Sequence, residues 1–219
     1  MDIGFIKEYF PMYVDAAKLT LCLGITGILF SMAVGLICSL IEYYRIPLLR
    51  QVTAFYIELS RNTPLLVQLF FLYFGLPKIG IMLSSECCAV IGLSFLGGSY
   101  MAEAFRSGLE TIEKGQVESA LALGLTHPQA MRYVVFPQAL AVSIPALCAN
   151  VIFLIKETSV FSVVALADLM YVAKDLIGLY YQTDEALLML VISYLVLLLP
   201  VSLAAGWLER RLKFAGFGN

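Results

Sequence analysis

Charge is scarce in this chain. Asp, Glu, Lys and Arg make up 14% of its 219 residues, against roughly 25% in an ordinary globular protein, and its mean hydropathy is +0.89. A soluble fold of this composition would have to present apolar outer faces to water, so lipid must solvate most of the chain. Histidine is almost absent, His127 being the single one. No His is spaced for zinc, and Cys22, Cys38, Cys87, Cys88 and Cys148 contain no C-x-x-C, which argues against a metal site or redox relay. Buried thiols acting as small hydrophobes account for most of them, with the adjacent Cys87-Cys88 expected near a membrane face. No G-x-x-x-x-G-K-[ST] occurs, so no segment cradles ATP phosphates, and a pump built on this chain takes its energy from a partner. The first residues, Met1-Asp2-Ile3-Gly4-Phe5-Ile6-Lys7-Glu8, lack the basic start and cleavage pattern of an export signal. They read as an interfacial amphipathic stretch, the beginning of an extracytoplasmic segment over residues 1–18. The net charge of -2 gives no attraction to nucleic acid.

What is plentiful is hydrophobic sequence, 61% of the residues, in blocks that approach the roughly 20 residues needed to cross a bilayer. Five spans are expected in an all-α membrane domain over residues 19–215: about 19–41, 56–76, 89–105, 139–155 and 186–207. Gly24, Gly27, Ser31 and Gly35 form a small-residue stripe suited to close helix contact. Glu58, Arg61, Asn62 and Pro64 interrupt the second span early. The fourth holds Pro145, which frees a backbone carbonyl and is expected to bend that helix around a cavity. Cations divide unevenly. One side receives Arg45, Arg50, Arg61, Arg106, Lys114, Arg132, Arg210, Arg211 and Lys213; the other receives Lys7, Lys18, Lys78, Lys156 and Lys174. The richer side is expected to be cytoplasmic, which puts the N-terminus outside and the C-terminus inside.

Between spans three and four lies a polar island, about residues 110–137. Gln116 to Leu123 is rich in helix formers, and Gly124 suits a left-handed stop. Thr126-His127-Pro128-Gln129 then reads as a capped helix start, and Pro137 as a break before span four. Two short helices meeting at a sharp turn make a compact knob, whose Ala120 and Ala122 would let a partner approach closely. His127 has a capping or surface role here.

This island resembles the cytoplasmic loop of ABC importer permeases, whose pattern is Glu-Ala-Ala, three residues, Gly, nine residues, an aliphatic, any residue, Leu and Pro. Here it stands as Glu118-Ser119-Ala120, Gly124, Val134, Phe136 and Pro137, with Ser119 for Ala and Phe136 for Leu. Arg61-Asn62-Thr63-Pro64-Leu65-Leu66-Val67-Gln68 is similar to the second-span motif of the polar amino acid (His/Glu/Gln/Arg/opine-type) permeases, and Lys156-Glu157-Thr158-Ser159 to the end of their span four.

The resemblance implies the five-helix type I importer fold in a bacterial cytoplasmic membrane, paired with an identical or homologous permease. It implies two ATPase subunits docked on the cytoplasmic coupling loops through Glu118, Ser119, Ala120, Gly124 and Pro137. It also implies an extracytoplasmic amino-acid-binding protein that delivers cargo. No cofactor is expected in the chain itself, ATP-Mg being bound by the partner ATPases, and no catalytic residue or metal. The substrate pathway is expected to draw on polar groups within spans, which are costly in lipid unless they face a cavity or a partner: Gln68, Glu103, Asn150, Glu157 and Thr158. Interhelical bracing is the alternative for each. Arg61 is expected at the inner mouth of span two, paired with Glu58 or lipid phosphate. In relatives that resemble cationic amino acid carriers an acid often stands where Asn150 does, so the amide points away from arginine or lysine as sole cargo. An ATP-independent secondary transporter and a thiol oxidoreductase using Cys87-Cys88 are the rival readings.

Overall fold

The computed structural model describes residues 1–214, with side chains to Arg211; Lys213 and residue 215, at the end of the expected domain, have no side-chain description. All regular structure among the described residues is helical. Helix α1 spans Ile3–Tyr43 and α2 spans Leu49–Arg61. The next helix, α3 (Leu65–Phe70), continues as a π turn over Phe71–Gly75 and a 3-10 turn to Ile79. After α4 (Ser85–Glu110) come the short α5 (Lys114–Ala122) and α6 (His127–Ala130). A π turn over Met131–Val135 leads into α7 (Phe136–Glu157), followed by a 3-10 turn over Thr158–Val164, α8 (Leu169–Tyr180) and α9 (Thr183–Phe214). Among the described residues, four stretches are long and apolar enough to cross a membrane: Ile3–Tyr43, Ser85–Glu110, His127–Val164 and Thr183–Arg211. Each contains one expected span. Expected span two is different, because it is divided between α2 and α3 with an unwound joint between them.

The expected boundary between residues 18 and 19 is not a structural one. Asp2 caps α1 by accepting from Gly4 N at 2.8 Å and Phe5 N at 3.2 Å, and the helix runs unbroken for 41 residues, about 60 Å. That is twice the thickness of a hydrocarbon core. Its first turns are held by packing: Phe5, Tyr13 and Ala16 bury against α8 and the start of α9, and the Tyr13 hydroxyl donates to Ala186 O at 2.8 Å.

Helix α4 is the hub. Gly27, Ser31 and Gly35 of the α1 small-residue stripe pack on it as the spacing predicts, while Gly24 faces Thr158. A Cβ on Gly27 would stand 2.7 Å from Leu93 Cδ2, one on Gly35 would stand 2.8 Å from Ala102 N, and the Ser31 hydroxyl donates to Leu93 O at 3.3 Å. Helix α2 clamps the same helix through Tyr56 and Ser60, both donating to Phe95 O at 2.7 and 2.9 Å. On the α7 side, Gly108 lies against Ala139 and Ser143 so closely that no side chain fits. Removing side chains is how polar-poor helices gain backbone contact in lipid.

Helix α8 was not anticipated, although its signal is present. Leu169, Val172, Ala173 and Leu176 recur at helical spacing and are buried, behind Asp168 as N-cap. Asp168 Oδ1 accepts from Tyr171 N at 2.9 Å, while Oδ2 is buried and unpartnered among the described residues. Burial pushes this carboxyl from 3.8 up to about 6, only partly offset by the backbone donors and Lys174. A raised folded-state value means the folded protein holds the proton more tightly, so this contribution is full below about pH 4 and lost as pH rises to about 6. Asp168→Asn keeps the cap and removes the charge. The variant is expected to gain about 2–3 kcal/mol over the parent at pH 7.5 and nothing near pH 4. Thermal unfolding of the solubilised protein across that range measures the difference, and a pH-independent gap would contradict it.

Candidate functional site

The unwound joint of the second span is dictated locally. Pro64 has no N–H and disfavours helix at the residue before it, so α2 stops with Asn62 as its C-cap. The chain then turns extended at Pro64, with φ -60° and ψ 142°, before α3 begins. Freed backbone groups in lipid need partners, and nearby side chains supply some. Asn62 Nδ2 donates to Glu58 O at 2.8 Å and Glu58 Oε2 at 3.1 Å, and the Thr63 hydroxyl donates to Leu59 O. Gln68 Nε2 reaches back to Ser60 O at 3.3 Å and Thr63 O at 3.1 Å.

The joint forms one wall of an open cavity of about 360 Å³, bordered also by Leu96 and Tyr100 of α4 and by Phe153 and Glu157 of α7. This lies within the size range of small-molecule sites. Two opposite charges share it. The Arg61 guanidinium lies 5.3 Å from the centroid of the Tyr100 ring and 3.7 Å from Glu103 Oε2, in reach of a cation–π attraction. Glu157 makes no hydrogen bond or ion pair among the described residues. An unpaired carboxylate within a helical span is costly unless something of opposite charge visits it.

The expected pathway residues separate on inspection. Glu157 lines the cavity. Asn150 does not, since its Nδ2 donates to Tyr100 O at 3.0 Å and ties α7 to α4. The fully buried Thr158 donates to Ile155 O at 2.6 Å. Gln68 holds the joint and borders a different, apolar cavity of about 480 Å³. Glu103 is engaged by Arg61 and, at 2.8 Å, by Arg106, which also binds Glu110 at 2.9 Å and approaches Glu42 at 3.7 Å. Arg61 pairs with Glu103 rather than with Glu58, because the polar joint turns it toward α4. Asn62, Thr63, Tyr100 and Phe153 were not anticipated as lining. The polar run before Pro64 carried a signal for the first two, and the aromatic pair carried none.

The island between α4 and α7 folds as a knob. Gly124, at φ +88°, ends α5 in a Schellman turn: Leu125 N donates to Ala120 O at 3.2 Å and Gly124 N to Leu121 O at 2.9 Å. A capping box opens α6, with Thr126 N donating to Gln129 Oε1 at 2.8 Å and Gln129 N to Thr126 Oγ1 at 3.4 Å. Ala120 faces inward, contrary to expectation, since the buried side of α5 needs a small residue there. Glu118, Ser119, Ala122 and Leu123 face outward, Leu123 with 85% of its surface exposed. Pro137 does not break the chain. It sits in the first turn of α7, where its missing N–H is tolerated, and the π turn leads into it without interruption. Leu109, Val135 and Ala139 form a small core joined by Val117 and Met131. With Gln138 Nε2 donating to Gln116 Oε1 at 2.6 Å, this core fixes the knob to α4 and α7.

Residues 27–214 match the family described as binding-protein-dependent transport system inner membrane component. The chain is 32% identical over 213 residues to the probable glutamine ABC transporter permease protein GlnM of Bacillus subtilis (strain 168), covering 97% of this chain and 99% of the relative. It is likewise 32% identical over 214 residues to the glutamine transport system permease protein GlnP of Escherichia coli (strain K12), covering 97% and 98%. Its fold superposes with a TM-score of 0.88 on a chain of a crystal structure of an amino acid ABC transporter with histidines, 33% identical, covering 96% of this chain and 99% of that one. The inward-facing MetNI methionine ABC transporter shares the fold with a TM-score of 0.74 at 18% identity. The chain therefore belongs to the binding-protein-dependent transport system inner membrane components, and is a multi-pass permease subunit of an ABC transporter.

Proposed function

We propose that this permease passes polar α-amino acids through the cavity beside the broken second span. The observation that carries the reading is that Arg61 and Glu157, of opposite charge, line the same space of about 360 Å³. A zwitterionic amino acid presents a carboxylate to the guanidinium and an ammonium to the half-buried Glu157 carboxylate, so each charge meets its complement. Asn150, Gln68, Glu103 and Thr158 brace the walls around it. The relatives named for glutamine and amino acid transport support this cargo class.

The same reading takes α2 and α3 together as one interrupted crossing, giving five spans over residues 19–215. It sets the N-terminus outside and the cation-rich ends of α1, α4 and α9 in the cytoplasm. The knob is then the coupling element, on which each of two ATP-Mg-binding ATPase subunits docks through Glu118, Ser119 and the turn at Gly124. A second permease copy or homologue completes the pathway, and an external binding protein feeds it. Closure of the ATPases tilts the knobs and rocks the spans between two access states.

The test is ATP-driven uptake of labelled amino acid into vesicles holding the complete importer. Glu157→Gln removes the charge at nearly constant shape and is expected to lower uptake at least about tenfold, the scale of an unpaired buried charge. Uptake unchanged by Glu157→Gln would refute the cargo site. Full-rate accumulation by the permease without any ATPase would establish a secondary transporter instead.

A further inference from the structure

We infer that the chain carries a dedicated site for an anionic phospholipid, formed where α1, α2, α4 and α5 meet at the knob end of the bundle. A cavity of about 570 Å³ opens there, and Arg45, Arg50 and Lys114 line it from three different elements. None of the three makes an ion pair among the described residues. Two acids, Glu42 and Glu110, share the cavity, with Arg106 at 3.7 and 2.9 Å from them and also bound to Glu103 at 2.8 Å. Four lining cations against Glu42, Glu110 and the Glu103 bound to Arg106 still leave the chamber net positive, with Arg45, Arg50 and Lys114 outside any ion pair among the described residues.

Two further observations distinguish a lipid from any small anion. An apolar groove of about 450 Å³ runs between α1, α2 and α4, lined on α1 by Phe30, Val34 and Cys38. These residues recur every four positions, so they lie along one side of α1, and the next step of that series is Glu42, at the wall of the basic cavity. Cys38 of the groove and Glu42 of the chamber wall therefore stand about one helical turn apart on α1. Beside the chamber, α2 turns Leu49, Val52 and Phe55 outward, exposed by 47%, 59% and 67%, which suits contact with a second chain of the same lipid. A headgroup phosphate among Arg45, Arg50 and Lys114, with one acyl chain in the groove, satisfies both halves. Basic pockets between membrane helices attract such headgroups through the same forces.

The experiment uses the complete importer, purified in mild detergent, with co-purified lipid identified by native mass spectrometry. Phosphatidylglycerol is expected to be retained over phosphatidylethanolamine, one molecule per chain. In the triple variant Arg45→Gln, Arg50→Gln, Lys114→Gln, retention is expected to fall roughly 10- to 30-fold or more, while Arg210→Gln with Arg211→Gln leaves it unchanged. Short-chain phosphatidylglycerol should bind far more weakly than the long-chain form, and excess inorganic phosphate should not displace the lipid. Equal retention of both lipid classes, or equal loss in the two sets of variants, overturns the inference. Displacement by phosphate alone does so too, by reducing the site to an anion pocket. If the triple variant sheds the ATPase while its lipid content stays the same, the occupant is an acidic protein segment and the lipid site is refuted.

Discussion

ATP-driven uptake is expected to fall to background in the double variant Glu118→Lys, Leu123→Asp, with the permease still folded and inserted. Both side chains lie on the outward face of the knob, and Glu118 makes no ion pair among the described residues. Their replacement therefore costs the isolated subunit little, within about 0.5 kcal/mol for surface positions of this kind. The interface has more to lose. An apolar residue with 85% of its surface exposed at the tip of a rigid knob is the type of anchor that a partner pocket buries, and such anchors are worth about 2–4 kcal/mol each. Losing one of these and inverting a neighbouring charge should cut ATPase retention by more than about 30-fold. Co-purification of the ATPase subunit and unfolding temperature, measured on one preparation, separate the two effects. Normal ATPase retention with normal stability would show that coupling runs through some other surface.

The second large effect concerns the seam between α1 and α4. Gly35→Leu places a side chain where a Cβ already overlaps Met101 Cβ and stands 2.8 Å from the backbone nitrogen of Ala102. A flexible side chain can move aside, but a helix backbone cannot. The two helices have to part over several turns, giving up contacts along the whole stripe. Overpacking of this kind costs about 3 kcal/mol or more. Gly206→Ala is the control, because among the described residues no atom beyond its own stretch of helix lies within 4 Å of the added Cβ, and better helix propensity makes it neutral or stabilising by up to about 1 kcal/mol. Thermal unfolding of both variants in the same detergent decides the matter. Equal stability would mean that the seam tolerates separation.

Where sequence reading succeeded, the signal was local. The left-handed stop at Gly124, the Thr126–Gln129 box and the α1 stripe each depend on residues within a few positions of one another or on a fixed helical period. Each stands in the structure as the spacing implies. What was missed depends on which elements meet. Glu103 and Asn150 are polar residues inside apolar helices, the usual mark of a pathway, yet one is held by Arg61 and Arg106 and the other by the Tyr100 carbonyl. No count along the chain distinguishes a brace from a binding group, because Arg61 lies 42 positions from Glu103 and Tyr100 lies 50 from Asn150, and only Arg106 is close in sequence. The joint at Asn62–Pro64 stands between these cases. Its proline announced a break, but only the neighbouring helices turned that break into a cavity wall. Helix α8 was overlooked for a different reason: twelve amphipathic residues between two long apolar blocks are easily read as connection.

The π turn at Met131–Val135 has a mechanical consequence. It is a wider coil seated between the knob and α7, and both of its neighbours are helical. Tightening it to ordinary winding turns one end against the other by up to about 100°, one residue's step, without opening the rod. On the coupling proposed above, torque delivered to the knob reaches α7 as a twist along a continuous shaft, turning Glu157 about the helix axis instead of levering the whole column sideways.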